Sequence, residues 1–133
     1  MDMTDRLRSA KLRPTRQRHA LARLLFAGGD RHVTAESLHK EAMANQVQVS
    51  LATVYNTLHQ FTTAKLLREV VVDSARSYFD TNTSHHHHFF YEESQQLMDI
   101  PGDDMRVENL PAPPDGTAVR RIDVVVMVGP SES

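Results

Sequence analysis

The most informative segment is Ser50-Leu-Ala-Thr-Val-Tyr-Asn-Thr-Leu-His-Gln-Phe61. Ser50 can cap a helix, because its side chain can accept a hydrogen bond from a first-turn N–H. The apolar residues that follow recur at helical spacing and form one stripe, which consists of Leu51, Val54, Leu58 and Phe61. The stretch is therefore predicted to be an amphipathic helix that packs on a core.

The outer face of this helix lacks the charges that a solvated helix usually carries, since no Lys or Arg lies between Ser50 and Ala64. Asn and Gln can pair with adenine, Thr can contact a thymine methyl, and a neutral face can enter a DNA groove while other elements contact the phosphates. A plain packing helix with a half-buried Tyr55 is the alternative. The candidate DNA-contacting residues of this face are Thr53, Tyr55, Asn56 and Gln60.

The elements predicted around this helix have the order of a winged helix. Helices are expected over residues 4–10, 14–27 and 34–44, with Met43 among the inward-facing residues of the third. The third helix lies a short turn before the central one, as in a helix-turn-helix. Two strands around a polar turn follow, at residues 66–72 and 77–80.

Charge is distributed unevenly along the 133 residues. Residues 1–80 carry twelve Lys and Arg against eight Asp and Glu, whereas residues 81–133 carry three against nine. A basic half is typical of a domain that contacts a polyanion. The cations expected to contact DNA phosphates are Arg13 and Arg16 at the entrance of the second helix, Arg68 on the first wing strand and Arg76 near the wing tip. A solvated basic turn is the alternative at the helix entrance.

The composition excludes several classes of protein. There is no cysteine, so disulfides, thiolate zinc sites, Fe–S clusters and cysteine nucleophiles are excluded. Charged residues interrupt the first ten positions, and no apolar run approaches the length of about 20 residues that a membrane span needs. We expect a cytoplasmic protein with no membrane partner.

Four consecutive histidines, His85-His-His-His88, precede the apolar Phe89-Phe90-Tyr91. Because side chains alternate along a strand, His86 and His88 would face one side and His85 and His87 the other. Imidazoles two residues apart can chelate one metal ion, and a carboxylate with another imidazole would complete a site suited to Zn²⁺, Fe²⁺ or Mn²⁺. An expression tag is the alternative, against which the internal position of the run argues.

Three stretches resemble the ferric uptake regulator (Fur) family: Leu12-Arg-Pro-Thr-Arg-Gln-Arg18, Ser50-Leu-Ala-Thr-Val-Tyr-Asn-Thr-Leu58, and the histidine run after Phe79-Asp80. Further stretches resemble its Irr branch, the iron response regulators of rhizobia and their relatives. These are Tyr55-Asn-Thr-Leu-His-Gln-Phe-Thr62, Tyr78-Phe-Asp-Thr-Asn82, His86-His-His-Phe-Phe90 and Asp123-Val-Val-Val126. The resemblance implies a DNA-binding regulator of iron and haem metabolism, active when iron is scarce and inactivated by haem.

The resemblance also implies the ligands. The sensing metal would be bound by His32, Asp80, His86 and His88, with Asp80 in place of the family's usual Glu. A second family site would use His85, His87 and Asp123, with Glu108 only if the alignment slips.

Haem is implied as the regulatory ligand. In a chain without cysteine it would need axial ligation by His86, His87 or His88. The C-x-x-C pair that holds structural zinc in many members is replaced by Tyr91-Glu-Glu-Ser94, so no structural zinc held by four cysteines is expected.

The predicted fold class is α+β, with an N-terminal winged helix-turn-helix followed by a small α/β dimerisation domain. The expected domains are a DNA-binding domain over residues 1–80, a hinge over 81–84, and a dimerisation and metal- or haem-sensing domain over 85–133. In the last domain we expect strands over 89–91, 97–100 and 119–128, a short helix over 103–110 and a frayed tail over 130–133.

The leading hypothesis is a regulator that is not an enzyme and that binds double-stranded operator DNA as a homodimer or a higher oligomer. A haem-supplying enzyme is a further candidate partner. The alternatives are a non-haem metalloenzyme that uses the histidine cluster, a repressor that responds to a divalent metal alone, and a constitutive DNA-binding protein with solvated histidines.

Overall fold

The computed structural model describes residues 2–131 and has an α+β fold. The chain divides into two compact units, Met1–Thr83 and Ser84–Ser133. The frayed tail expected over residues 130–133 falls partly on residues 132 and 133, which lie outside the described residues. Within residues 2–131, no helix combines the length and the apolar character that crossing a membrane requires.

Helices of the first unit begin at residues that cap them. The helices are α1 (Met3–Ser9), α2 (Arg16–Phe26), α3 (Ala35–Ala44) and α4 (Leu51–Thr63). In each case the side chain before the helix accepts a hydrogen bond from a backbone N–H of the first turn; the capping residues are Asp2, Thr15, Thr34 and Ser50. Because caps are local signals, the sequence located these helices closely.

The turn between α3 and α4 completes a helix-turn-helix. Gln46 takes the left-handed conformation with φ 61°. The backbone N–H of Val47 then donates to the carbonyl oxygen of Ala42 at 2.8 Å, which closes the last turn of α3. This closure sets the direction in which the chain enters α4.

The sheet of the first unit has three antiparallel strands in the order β1-β3-β2. The strands are β1 (His32–Val33), β2 (Arg68–Asp73) and β3 (Arg76–Asp80). β2 and β3 are the predicted wing hairpin. β1 was not predicted, because two residues are too short to show the alternation that marks a strand. Its pairing with β3 places His32 opposite Asp80.

The core of the first unit is formed by the inner faces of the helices. Leu38, Leu58 and Phe61 have no exposed surface. Two residues predicted to face inward do not, since Met43 is 53% exposed and Leu51 is 37% exposed. Both lie at helix ends beside the helix-turn-helix turn, where the apolar stripe leaves the core.

The sheet of the second unit has the order β5-β4-β6 and consists of β4 (His87–Tyr91), β5 (Gln96–Ile100) and β6 (Val125–Val128). β4 and β5 form an antiparallel hairpin. β6 pairs with β4 in parallel, and residues 101–124 connect the end of β5 to the start of β6, both of which lie beside the start of β4.

The connection over residues 101–124 has less regular structure than the sequence predicted. A short 3-10 helix, Gly102–Asp104, lies where a helix over 103–110 was expected. Met105 is extended and Asn109 has φ 59°, and an α-helix accommodates neither conformation. The strand expected over 119–128 is confined to Val125–Val128, because β4 begins only at His87 and offers no partner for the earlier residues.

Leu58→Ala is expected to lower the free energy of unfolding by about 2–5 kcal/mol, because a cavity would replace a fully buried side chain. Leu51→Ala changes the same residue type in the same helix at an exposed position and should cost less than about 1 kcal/mol. Urea unfolding followed by circular dichroism measures both. Equal losses in the two variants would contradict this assignment of the core face of α4.

Candidate metal centre and nucleic-acid interface

The first unit presents an imidazole–carboxylate pair in which the carboxylate is buried and the imidazole is half-buried. Nε2 of His32 lies 3.1 Å from Oδ2 of Asp80, as the β1–β3 register dictates. Asp80 has no exposed surface, and its Oδ1 accepts a hydrogen bond from the backbone N–H of Asn82 at 2.9 Å. The carboxylate is therefore oriented, with one oxygen held by the backbone and the other directed at the imidazole.

Arg31 fixes the segment that carries His32. Its backbone N–H donates to Thr81 Oγ1 at 2.8 Å, and its carbonyl oxygen accepts from the Thr81 N–H at 3.0 Å. Its guanidinium donates to Leu24 O at 3.0 Å and to both Glu41 oxygens at 2.9 and 2.7 Å. The hydrogen bond from Arg31 holds the pKa of Glu41 below its usual value. Helix α2, helix α3 and the end of β3 are thus joined beside the ligand pair.

The second unit brings three ligand atoms together where β4 begins. His88 lies opposite Asp99 in the β4–β5 register. Oδ1 of Asp99 is 3.3 Å from His88 Nε2 and 3.3 Å from His86 Nε2. The His86 and His88 rings lie with centroids 4.5 Å apart, and both side chains are buried. Two imidazole nitrogens and one carboxylate oxygen therefore surround one point.

The hydrogen on His86 is located by a second contact. Nδ1 lies 2.7 Å from the carbonyl oxygen of Ser84, which can only accept, so Nδ1 carries the hydrogen. In the neutral ring Nε2 then has only a lone pair, and it faces the acceptor Oδ1 of Asp99. A ring lone pair and a carboxylate oxygen that face each other at 3.3 Å favour a cation between them. The donor set fits Zn²⁺, Fe²⁺ or Mn²⁺.

The other two histidines of the run line a separate pocket in the second unit. His85 and His87 lie with ring centroids 5.1 Å apart. They border a cavity of about 440 Å³ that Glu108 and Arg106 also line, and these two side chains form an ion pair. Asp123 is not among the described residues that line it. Glu108 rather than Asp123 therefore accompanies these histidines.

His87 and Asp123 have contacts that differ from the roles implied by the resemblance. Nδ1 of His87 accepts a hydrogen bond from the backbone N–H of Val124 at 3.1 Å, so the ring hydrogen lies on Nε2. His87 consequently presents no free lone pair in this conformation. The carboxylate of Asp123 accepts from Arg121 Nε at 2.7 Å.

The outer face of α4 carries the residues predicted to contact DNA. Asn56 is exposed and Tyr55 is 39% exposed. Thr53 is half-buried, and its hydroxyl accepts from the capping hydroxyl of Ser50 at 2.9 Å. The Tyr55 hydroxyl donates to Glu36 Oε1 at 2.9 Å, and this bond raises the pKa of Tyr55.

Gln60 is exposed, but its amide oxygen is already engaged. Arg18 donates to Gln60 Oε1 through Nε at 3.2 Å and Nη2 at 2.9 Å. The Nη1 of Arg18 donates to the carbonyl oxygen of Arg13 at 2.9 Å. Arg18 therefore joins α2 to α4, and only the amide NH₂ of Gln60 is left for a base.

The predicted phosphate contacts differ in exposure. Arg13 and Arg16 are exposed. Arg76 is half-buried and donates through Nε to Asp73 at 2.9 Å, an interaction that lowers the pKa of Asp73. Arg68 is only 5% exposed, because it is the first residue of β2 and lies opposite Asp80. Its guanidinium is therefore not presented to solvent as a phosphate contact requires.

The profile of the Ferric uptake regulator family matches residues 9–115. The chain belongs to this family. The α+β fold with an N-terminal winged helix, predicted from the sequence, is thereby confirmed.

A curated protein is similar to more than half of this chain. The peroxide-responsive repressor PerR of Staphylococcus aureus (strain Mu50 / ATCC 700699) is 34% identical over 77 residues, which are 58% of this chain and 51% of that protein. The chain spans about half the length of the curated relatives it matches.

Two solved structures share the fold. The ferric uptake regulator from Pseudomonas aeruginosa with manganese has 22% identity and a TM-score of 0.72, with 99% of this chain and 100% of that chain covered. The Vibrio cholerae ferric uptake regulator has 20% identity and a TM-score of 0.74, with 96% of this chain and 99% of that chain covered.

Sequence reasoning missed three residues of the Fur-family chain that matter at these sites, namely Asp99, Arg18 and Glu36. Asp99 could have been found, because a hairpin with strands at 87–91 and 96–100 places residue 99 beside 88. The contacts of Arg18 and Glu36 join different helices, and no spacing within one helix reveals them.

Asp99→Asn is expected to weaken Mn²⁺ or Zn²⁺ binding at least about 10-fold, because an amide is a poorer ligand and does not balance the charge of the ion. Asp103→Asn removes an exposed carboxylate of the same unit and should leave the affinity unchanged. Competition with a chromophoric chelator gives both values. Equal affinity in the two variants would remove Asp99 from the ligand set.

Proposed function

We propose that this Fur-family chain is an iron- and haem-responsive transcription regulator of the Irr type, which binds operator DNA as a homodimer in the cytoplasm. In this proposal it is active when iron is scarce and is inactivated by haem. One observation carries the proposal: the chain combines a winged helix with two buried imidazoles and a half-exposed carboxylate that are directed at one point. A regulator that responds to a metal requires both parts.

The domains are proposed to divide these tasks. Residues 1–80 would bind DNA, residues 81–84 would act as a hinge, and residues 85–133 would dimerise and sense metal or haem. The more general class, a metal-responsive transcription regulator rather than an enzyme, accords with membership of the family.

The outer face of α4 is proposed to read the operator. Asn56 is the strongest candidate for a base contact, because its amide is exposed and can pair with adenine. Tyr55 offers an exposed ring edge beside it. Arg13 and Arg16 would contact phosphates from the entrance of α2, where the N-terminal end of a helix already favours anions.

Tyr55→Ala and Asn56→Ala are expected to weaken binding to the operator by about 1–3 kcal/mol each, while binding to unrelated DNA changes little. Thr63→Ala, at the exposed far end of α4, is the control and should have no effect. Arg13→Ala should instead weaken binding to all sequences and reduce the salt slope by about one unit. Fluorescence anisotropy with an operator selected from a random DNA library separates these outcomes. Unchanged operator affinity in both α4 variants would refute the reading face.

The proposed metal ligands are His32, Asp80, His86 and His88, together with Asp99. A bound ion would supply positive charge to the nitrogen and oxygen acceptors that face each other within each unit. Because the ligands lie on both sides of the hinge over 81–84, the angle between the two units would be restricted in the metal-bound state. In a dimer this angle sets the spacing of the two α4 helices. The shift in DNA affinity cannot exceed the preference of the metal for the DNA-competent geometry.

Haem is proposed to act at the same histidines. His86 and His88 direct Nε2 at one carboxylate, and an imidazole nitrogen is a common axial ligand of haem iron. Both side chains are buried, with 3% and 2% exposed, so their ligation to haem would require the start of β4 to open. Two metal ligands would be lost in the same step, and the responses to metal and haem would be opposite.

A repressor that responds to a divalent metal alone is the second candidate function. The burial of His86, His87 and His88 favours it, because no imidazole of the three is accessible to a macrocycle in this conformation. The similar PerR of Staphylococcus aureus is named a peroxide-responsive repressor, which accords with a repressor role.

Operator binding is expected to rise with Mn²⁺ and to fall with EDTA or hemin. A mobility-shift titration of the purified protein under the three conditions measures this. Inhibition by EDTA without any effect of hemin would establish the metal-only regulator instead. Operator affinity that is unchanged by Mn²⁺, EDTA and hemin would refute the proposal that the protein senses metal or haem.

The double variant His86→Ala/His88→Ala is expected to lose both metal occupancy and the Mn²⁺ response. Asp103→Asn serves as the control and should retain both. Metal stoichiometry by elemental analysis and DNA affinity are measured on the same samples. Full metal occupancy in the double variant would refute the site, and lost metal with undiminished DNA binding would refute the switch.

A further inference from the structure

Tyr55 on the exposed face of α4 is held at both ends of its side chain. Its hydroxyl donates to Oε1 of Glu36, a residue in the first turn of α3, at 2.9 Å. Its ring stacks on His59, one turn later in α4, with centroids 6.3 Å apart and planes at 16°. The His59 ring in turn packs edge-on against Phe79 of β3 at 5.5 Å and 85°.

These contacts restrict a side chain that would otherwise be mobile. An aromatic residue that is 39% exposed on a helix surface can change rotamer freely unless something holds it. Here the ring lies against a stacked neighbour and the hydroxyl is fixed by a residue from a different helix. A side chain ordered before binding loses less conformational entropy when it meets its partner.

We propose that Glu36 is a positioning residue for DNA recognition, which holds Tyr55 in the conformation that contacts a base. This inference rests on the proposed function, since it assumes that α4 reads the operator. Glu36 itself touches no base in this scheme. It acts through the hydroxyl of Tyr55 and sets the discrimination between operator and other DNA.

The negative charge of Glu36 has a second, separable effect. A carboxylate beside Tyr55 lies near the expected path of the phosphates and repels them whatever the sequence. It therefore lowers the affinity for all DNA while it supports the affinity for the operator. The carboxylate also lies at a helix N-terminus, where an anion stabilises α3 through the helix dipole. If Glu36 had only a structural role, its one effect would be this stabilisation of α3.

Substitution by glutamine distinguishes the roles, because Glu36→Gln keeps the accepting oxygen and removes the charge. We expect Glu36→Gln to bind operator and scrambled DNA more tightly by similar factors, so that the affinity ratio of the two DNAs changes less than about 2-fold. Glu36→Ala should lower this ratio about 3- to 10-fold, the loss typical of one hydrogen bond. Asp30→Asn, which removes an exposed carboxylate elsewhere in the first unit, should leave the ratio unchanged.

Tyr55→Phe tests whether Glu36 acts through the hydroxyl. It removes the hydroxyl and keeps the ring, and Glu36→Ala combined with Tyr55→Phe should lower the ratio no further than Glu36→Ala alone. All variants are compared by anisotropy at one salt concentration, with an operator selected from a random library by the wild-type protein. Thermal melting shows that each variant is folded.

The outcomes separate this inference from the proposed function. If Tyr55→Ala and Asn56→Ala lower the ratio and Glu36→Ala does not, the positioning role of Glu36 is overturned and the reading face stands. Additive losses in the double variant would also overturn it. If neither α4 variant changes the ratio, the reading face itself fails.

Discussion

The first unit is built around strand β3, which pairs with a strand on each side. The last residue of β3, Asp80, lies opposite His32 on β1 and opposite Arg68 on β2. A carboxylate without exposed surface must be compensated. Cross-strand neighbours share a face, so this register brings the imidazole of His32 and the guanidinium of Arg68 to the side of the sheet that carries the Asp80 carboxylate. The same strand begins at the wing turn and contributes Phe79 to the core beneath α4. One strand therefore sets the wing, the support of α4 and the ligand pair.

Local signals predicted most of the fold, and long-range pairing accounts for the rest. The four helices begin at caps that are visible in the sequence, such as Ser50 and the Thr34 capping box. β1 was missed because its two residues become a strand only by pairing with β3. The helix expected over 103–110 fails at Asn109, whose positive φ no apolar pattern indicates. Met43 was misplaced because its helix ends beside an exposed turn.

The candidate site was predicted as far as residue type and motif allow. The sequence indicated the histidines and Asp80, since the motifs carry them. It did not indicate Asp99, because a half-exposed acid on a second strand has no signature until the hairpin register is known. Arg68 was expected at the DNA surface on charge alone, whereas the β2–β3 register buries it beside Asp80. The charge of Arg68 indicates an anionic partner, and the strand pairing places the residue beside Asp80 rather than at the DNA surface.

The histidine run shows why residue type does not determine a ligand set. His86 and His87 are adjacent and similarly buried, yet His86 carries its hydrogen on Nδ1 for Ser84, and His87 keeps Nδ1 bare for the Val124 N–H. If His87 were to ligate through Nε2, its hydrogen would have to move to Nδ1 and the bond to Val124 would break. The Val124 N–H would then lose this acceptor, and the chain would lose a hydrogen bond just before the first residue of β6. Alternate residues of the run thus differ in their contacts: His86 and His88 face the carboxylate of Asp99, whereas His87 accepts from the backbone next to β6.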